Sequence, residues 1–335
     1  MSNLKNRNNK LIIGFTYDLK DHYVMQGFSA EDIAEFDTME TIDGINDALV
    51  GLGYQVVRVG NVHFLLERLA KGERWDLVFN ICEGIRGIGR EAQVPAILDV
   101  YNIPYVFSDV MVLSLTLHKA MTKHVIRDKG IPTAPFFVVS AMEQLHDHDL
   151  KYPLFVKPVA EGTGKGIDAD SKVDNKDQLL KVVKDRLQRY GQSVLVEEFL
   201  PGREFTVGII GTGISSRVIG MMEVGYKNHE TSGIYSYHNK AQYEDFVEYT
   251  VPESAIYNSC SAVALESWKA LGCRDGGRVD IRLNIDGVPN FMEVNPLAGL
   301  NPVHSDLPIL AAKYGINYQT LIEMIMNSAL NNRVI

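Results

Sequence analysis

Cysteine is scarce: Cys82, Cys260 and Cys273 are three in 335 residues. The number is odd and no CxxC spacing occurs, which excludes a disulfide framework and suits buried thiols in a reducing, cytoplasmic setting. Long apolar runs are missing as well. The basic start MSNLKNRNNK leads only into Leu11 to Phe15, too short for a secretory core and far below the ~18 residues of a membrane helix. No membrane partner is expected. Excess positive charge is also lacking: 33 Lys plus Arg stand against 42 Asp plus Glu, a net charge of −9, which repels a nucleic-acid backbone. What is present, 46% hydrophobic and 22% charged residues, is the mixture of ordinary globular domains.

The length exceeds what one hydrophobic core usually organises, so several domains are expected. Over the first ~110 residues, apolar runs at Leu11 to Phe15, Val56 to Val59 and Leu77 to Ile81 alternate with helical spacing at Ile42 to Leu52, Val62 to Leu69 and Val94 to Tyr101. Such alternation predicts a parallel α/β sheet. A helical pattern from Ser114 to Lys129 opens a second unit of α+β character, with strands at Phe136 to Val139, Phe155 to Val159 and Val194 to Phe199. The third unit is strand-rich, with strands near 205–210, 218–224, 246–251, 278–285 and 289–294 and helices at Ala255 to Leu271 and Tyr318 to Leu330. These readings divide the chain at 1–113, 114–200 and 201–335. Gly225 to Asp245 mixes Gly, Tyr, His, Asn and Ser without periodicity, the composition of a long exposed loop.

Three constellations carry chemistry. Lys157-Pro158-Val159-Ala160-Glu161-Gly162-Thr163-Gly164-Lys165-Gly166 takes a lysine from a strand into a loop whose glycines let backbone N–H groups approach phosphate oxygens. It has neither the P-loop nor the dinucleotide spacing, and alone such a turn is more often a plain hairpin. Near the end, Gly277-Arg278-Val279-Asp280-Ile281-Arg282 and Phe291-Met292-Glu293-Val294-Asn295-Pro296 alternate with period two. If the two strands pair, Asp280, Glu293 and Asn295 present hard oxygens suited to Mg²⁺; otherwise they form the solvated face of a hairpin. Between these lies Leu195-Val196-Glu197-Glu198-Phe199-Leu200-Pro201-Gly202-Arg203-Glu204-Phe205, a linker that can read adenine and ribose or can simply be solvated.

In this order, the residues resemble the ATP-grasp superfamily and within it the D-alanine–D-alanine ligase family of carboxylate–amine ligases. The resemblance runs from about Leu77 onward and rests on Ile103-Pro104-Tyr105 with His118-Lys119, Val156-Lys157-Pro158 with Glu161-Gly162, Glu197 with Glu204, Lys240, Arg278-x-Asp280, Glu293-Val294-Asn295 and His304-Ser305. It implies an ATP-grasp fold behind an N-terminal parallel-sheet domain on the substrate side, with the phosphate loop in the central lobe and metal site and lid, 225–245, in the last. It further implies that Lys119 and Lys157 contact ATP phosphates beneath the loop holding Glu161, Gly162, Thr163 and Gly164. Glu197 would meet the adenine amine, Glu198 and Leu200 would offer backbone groups, and Glu204 would bind the ribose. Lys240 would reach the terminal phosphate, Asp280, Glu293 and Asn295 would hold two Mg²⁺ ions (or Mn²⁺), Arg278 would stabilise the reacting centre, and Ser305 would hold a substrate carboxylate. The implied activity is ADP-forming ligation of amino acids or small peptides through an acyl phosphate, and a homodimer is compatible with it. An ester- or thioester-forming ligase and a degenerate ATP-binding regulator are the other classes considered.

The first part departs from that pattern. Thr16-Tyr17-Asp18-Leu19-Lys20 offers no clear counterpart of the family's early Ser-x-Glu segment, Arg90 stands where the family has a glutamate, and Ala241 follows the lid lysine. Arg90, with Arg86, either binds an additional substrate carboxylate or stands as an exposed pair of arginines, and D-alanine alone is expected to be a weak substrate.

Overall fold

The computed structural model describes residues 10–145, 148–226 and 247–331. Strand β1 (Ile12–Tyr17) lies between β2 (Gln55–Gly60) and β3 (Leu77–Ile81), and both pairings are parallel. β3 reads LVFNI because it is buried along its whole length, as a strand covered on both faces must be. Helices α1 (Lys20–Val24), α2 (Met39–Gly51), α3 (Val62–Ala70) and α4 (Gln93–Val100) connect and cover the sheet. α2 buries Ile42, Ile45 and Leu49 at helical spacing, and the Asn61 side chain caps α3 by accepting from the His63 and Phe64 N–H groups.

The helix expected over Ser114 to Lys129 is two: α5 (Val110–Leu117) and α6 (Lys119–Asp128). His118 separates them at φ −88°, ψ 88°, and its ring accepts from the Met121 N–H as the cap of α6. Residue 113, expected to end the first domain, falls inside α5.

A four-stranded antiparallel sheet follows, in the order β4 (Phe136–Val139), β7 (Val194–Glu198), β5 (Leu154–Pro158), β6 (Lys172–Val173). It is covered by α7 (Lys176–Tyr190), which the sequence reading did not anticipate. Its apolar stripe is narrow, Leu179, Val182, Val183 and the partly buried Leu187 with the stem of Arg186, and the remaining positions are mostly charged or polar. The signals at its ends were present: Asn175 caps its start and Gly191 closes it at φ 60°.

The last sheet runs β10 (Val247–Thr250), β9 (Arg217–Tyr226), β8 (Glu204–Ile210), β11 (Gly276–Leu283), β12 (Pro289–Asn295), again antiparallel. Helix α8 (Ser254–Leu271) seals one face with the fully buried Trp268, and α9 (Asp306–Lys313) and α10 (Tyr318–Asn331) cover the other. The largest core joins the two ends of the chain: Ile13, Phe15 and Ile42 pack in one cluster with Leu310, Leu321 and Ile325. Each such side chain contributes about 1.5–3 kcal/mol by leaving water, so the N-terminal sheet is held against the last helices. No helix of the described residues is long and apolar enough to cross a membrane.

Candidate active site

The two strands that carry the acidic residues pair. β11 and β12 are antiparallel with Arg278 opposite Asn295 and Asp280 opposite Glu293, and the register slips only after Asp280. Asp280 accepts from Thr206 of β8 at 2.9 Å, from the Asn295 amide at 3.5 Å and from Arg278. Arg278 also lies 3.8 Å from Asp306, which accepts from the Tyr249 hydroxyl at 2.8 Å. Burial lowers the Arg278 pKa, but Asp280 and Asp306 more than offset it and hold the guanidinium protonated. Among the described residues no group of three or more His, Cys, Asp and Glu could hold a metal by itself. The residue types nonetheless fit a hard divalent cation, since Asp280 and Glu293 lie opposite each other across the two strands with Asn295 two residues on, and Mg²⁺ ordinarily completes its shell with water and phosphate.

Facing these strands, the loop after β5 is folded by left-handed residues, with Thr163 at φ 51°, Gly164 at 73° and Gly166 at 75°. A side chain at Gly166 would also meet Pro158 at 2.5 Å, so the glycines here answer a steric demand. A cavity of about 70 Å³ between loop and strands is lined by Lys119, Lys157, Gly162, Glu204, Asp280 and Glu293. Lys119 donates to the Glu161 carbonyl and lies 3.6 Å from Glu293. Glu204 pairs with Arg282 at 3.1 Å, and burial pushes its carboxyl up.

Glu197 takes a position the sequence did not foresee. Its two carboxylate oxygens meet Lys123 and Lys157, each at 2.8 Å, and Lys123 in turn donates to Thr133, which donates to the Phe291 carbonyl. Burial by itself would raise the carboxyl, but the two lysines bring it down to about 2. The neighbouring Glu198 side chain accepts from the Lys151 N–H, and its own N–H is given to Pro135, so only its carbonyl remains for a ring. Lys123 carried no recognisable signal, because a lysine on a helix is normally solvated.

A second cavity of about 470 Å³ adjoins this region and is lined by Asp37, Glu83, Glu91, Arg278, Asn295 and Ser305 among others. Ser305 opens α9, and its hydroxyl accepts from the Asn301 N–H at 3.0 Å. Asn301 reaches Glu40 and Thr41 of α2, so the loop carrying Ser305 is tied to the N-terminal lobe. Two carboxylates here, Asp37 and Glu91, are displaced the opposite way from Glu197. Burial raises Asp37 and Glu91 to about 7 each, with Asp18 adding to the first and Glu35 to the second. Glu35, Asp37, Glu83 and Glu91 were missed because they sit in loops or beside a turn, where carboxylates are usually solvated. Arg90 requires a correction. It is 7% exposed, its guanidinium meets both oxygens of Glu35 at 3.1 and 2.9 Å, and it donates to the Ala160 carbonyl at 2.9 Å. It is therefore engaged within the chain and offers no open fork to a substrate carboxylate. Lys240 and Ala241, with 227–246 as a whole, lie outside the described residues.

A glycine-rich loop over two lysines, opposed by carboxylates on an antiparallel pair and preceded by a parallel-sheet lobe, defines an ATP-grasp ligase. The family described as D-ala D-ala ligase C-terminus matches residues 125–327. A D-alanine–D-alanine ligase of Marinomonas sp. is 31% identical over 295 residues, covering 85% of this chain and 88% of the relative. That of Actinobacillus pleuropneumoniae is 32% identical over 288 residues, 84% and 89% respectively. An uncharacterized protein, y4sG, of Sinorhizobium fredii is 33% identical over 258 residues, 76% and 74%. The fold is shared with the crystal structure of D-alanine–D-alanine ligase from Bacillus anthracis complexed with ATP, at a TM-score of 0.73 and 23% identity over 96% of this chain and 98% of that one. The chain belongs to the D-alanine–D-alanine ligase family, whose members are ligases forming carbon–nitrogen bonds.

Proposed function

We propose that the protein is an ATP-dependent, ADP-forming carboxylate–amine ligase that joins amino acids or small peptides. The observation that carries this reading is the pairing of Asp280 with Glu293 across β11 and β12, directly against Lys119, Lys157 and the phosphate loop. Lys119 and Lys157 bind phosphate oxygens, the backbone of Glu161, Gly162, Thr163 and Gly164 encloses them, and Glu204 takes the ribose. Glu197 acts by aiming Lys157, while the Glu198 carbonyl and Leu200 backbone border the ring. Asp280, Glu293 and Asn295 would hold magnesium, which would supply positive charge against the triphosphate.

A free carboxylate is a poor acyl donor. Its oxygen attacks the γ-phosphorus, ADP leaves, and the amine of the second substrate then attacks the acyl carbon and expels phosphate. Arg278, buried and permanently charged, faces the oxyanion that forms only during that attack, where a fixed charge contributes most. Ser305 orients a substrate carboxylate. Phosphate release should depend on an amino acid or dipeptide substrate, with ADP as the nucleotide product. Chromatography of the nucleotides and the product's mass test it; AMP in stoichiometric amount overturns the reading. D-alanine belongs in the same panel as the substrate named for the curated relatives.

A further inference from the structure

Arg90 and Glu35 belong to the N-terminal lobe, yet their contacts converge on the phosphate loop of the next. The Arg90 guanidinium donates to Ala160, where the loop begins, and clamps Glu35 with its other nitrogen. Glu35 lies 3.4 Å from Lys165, near the loop's end, and a methyl group placed on Gly162 would stand 2.2 Å from its carboxylate. The loop's own members complete the arrangement: Lys165 pairs with Glu161 at 3.0 Å, and Gln192 bridges the Glu161 carboxylate and the Ala160 N–H at 2.7 and 2.8 Å.

Two points of one loop, Ala160 and Lys165, are thus held by two side chains of another lobe, and Glu35 also lies so close over Gly162 that no side chain fits there. The Arg90 and Glu35 side chains are 8% and 7% exposed, so solvent screens their attraction little. Burial would raise the Glu35 carboxyl, but Arg90 and then Lys165 hold it below the usual range and keep it charged. By contrast, Glu31 with Arg189 makes a second tie between the same lobes at the surface, where an ion pair contributes little.

We propose that Arg90 is a positioning residue for the nucleotide: with Glu35 it fixes the phosphate loop against the N-terminal lobe in its receiving conformation. The inference rests on the functional reading above. Because Glu35 also borders the 470 Å³ cavity, the tie joins the substrate side to the nucleotide side.

The test is a double-mutant cycle on the full chain with Arg90→Ala, Glu35→Gln and the two combined. Calorimetric affinity for a non-hydrolysable ATP analogue with Mg²⁺ and the thermal midpoint without ligand are both measured, with Arg90→Lys as the conservative variant. Each single variant should weaken analogue binding about tenfold, within the coupling range of buried charges in contact. The double variant should cost little more than either single one, and Arg90→Lys should recover part of the loss. Unchanged analogue affinity, with only a lowered midpoint, overturns the proposal, as do strictly additive losses. An Arg90→Ala variant with normal analogue affinity and a raised amino-acid KM assigns Arg90 to the substrate instead. Wild-type protein that binds no analogue defeats the functional reading itself, a result distinct from these.

Discussion

The side proposed to take the nucleotide and the side proposed to take the amino acid handle buried charge differently. On the nucleotide side the groups stand on β5, β7, β8, β11 and β12, and each of three carboxylates has a cation or donor: Glu197 has two lysines, Asp280 has Arg278 and Thr206, Glu204 has Arg282. On the amino-acid side Asp37 and Glu91 come from a loop and a turn, and burial with neighbouring carboxylates pushes both up. One side is neutralised within the chain. On the other, burial drives Asp37 and Glu91 towards the neutral form, a tendency that an ammonium group placed beside them would reverse.

The largest effect expected from breaking this contrast is on the paired side. Asp280→Ala and Glu293→Ala should each reduce turnover to background with far-ultraviolet circular dichroism unchanged, since metal ligands are few here; near-normal activity at ordinary Mg²⁺ removes that residue from the metal set. Glu197→Ala leaves Lys123 and Lys157 buried without their shared carboxylate, and should cost about 3–5 kcal/mol of stability in denaturant titrations. Lys157→Ala should weaken ATP binding by roughly 1.5–3 kcal/mol, the value of a charge-assisted hydrogen bond, read as a calorimetric dissociation constant.

The smallest effect sharpens the contrast through pH. Glu197 is depressed to about 2 when folded, so its contribution is present above the unfolded carboxyl pKa of about 4.3 and fades as pH falls from there towards 2. Asp37 and Glu91 are raised to about 7, so theirs is complete below about 4 and is lost as pH rises towards 7. Thermal midpoints measured across pH should therefore lose their acid-side slope in Glu197→Gln and their slope between about 4 and 7 in Asp37→Asn or Glu91→Gln. Identical profiles for all the variants would contradict the contrast.

Local pattern determined much of this protein. Period-two alternation placed Arg278, Asp280 and Arg282 on one face and Glu293 with Asn295 on the next strand, and the register joins them as read. The apolar runs at Leu77 to Ile81 and Val194 to Phe199 gave strands within a residue of β3 and β7, because a buried strand needs side chains that its own sequence supplies. Helix α7 escaped because a narrow apolar stripe and a charged remainder resemble a solvated loop. Only the tertiary structure decided the partners of the charged groups. Whether Glu197 reads a base or clamps two lysines, and whether Arg90 meets a substrate or Glu35, depends on which distant segment arrives beside it. The energy of a buried charge is set by neighbours within a few ångströms, and for Arg90 those neighbours, Glu35 and Ala160, are 55 and 70 residues away along the chain.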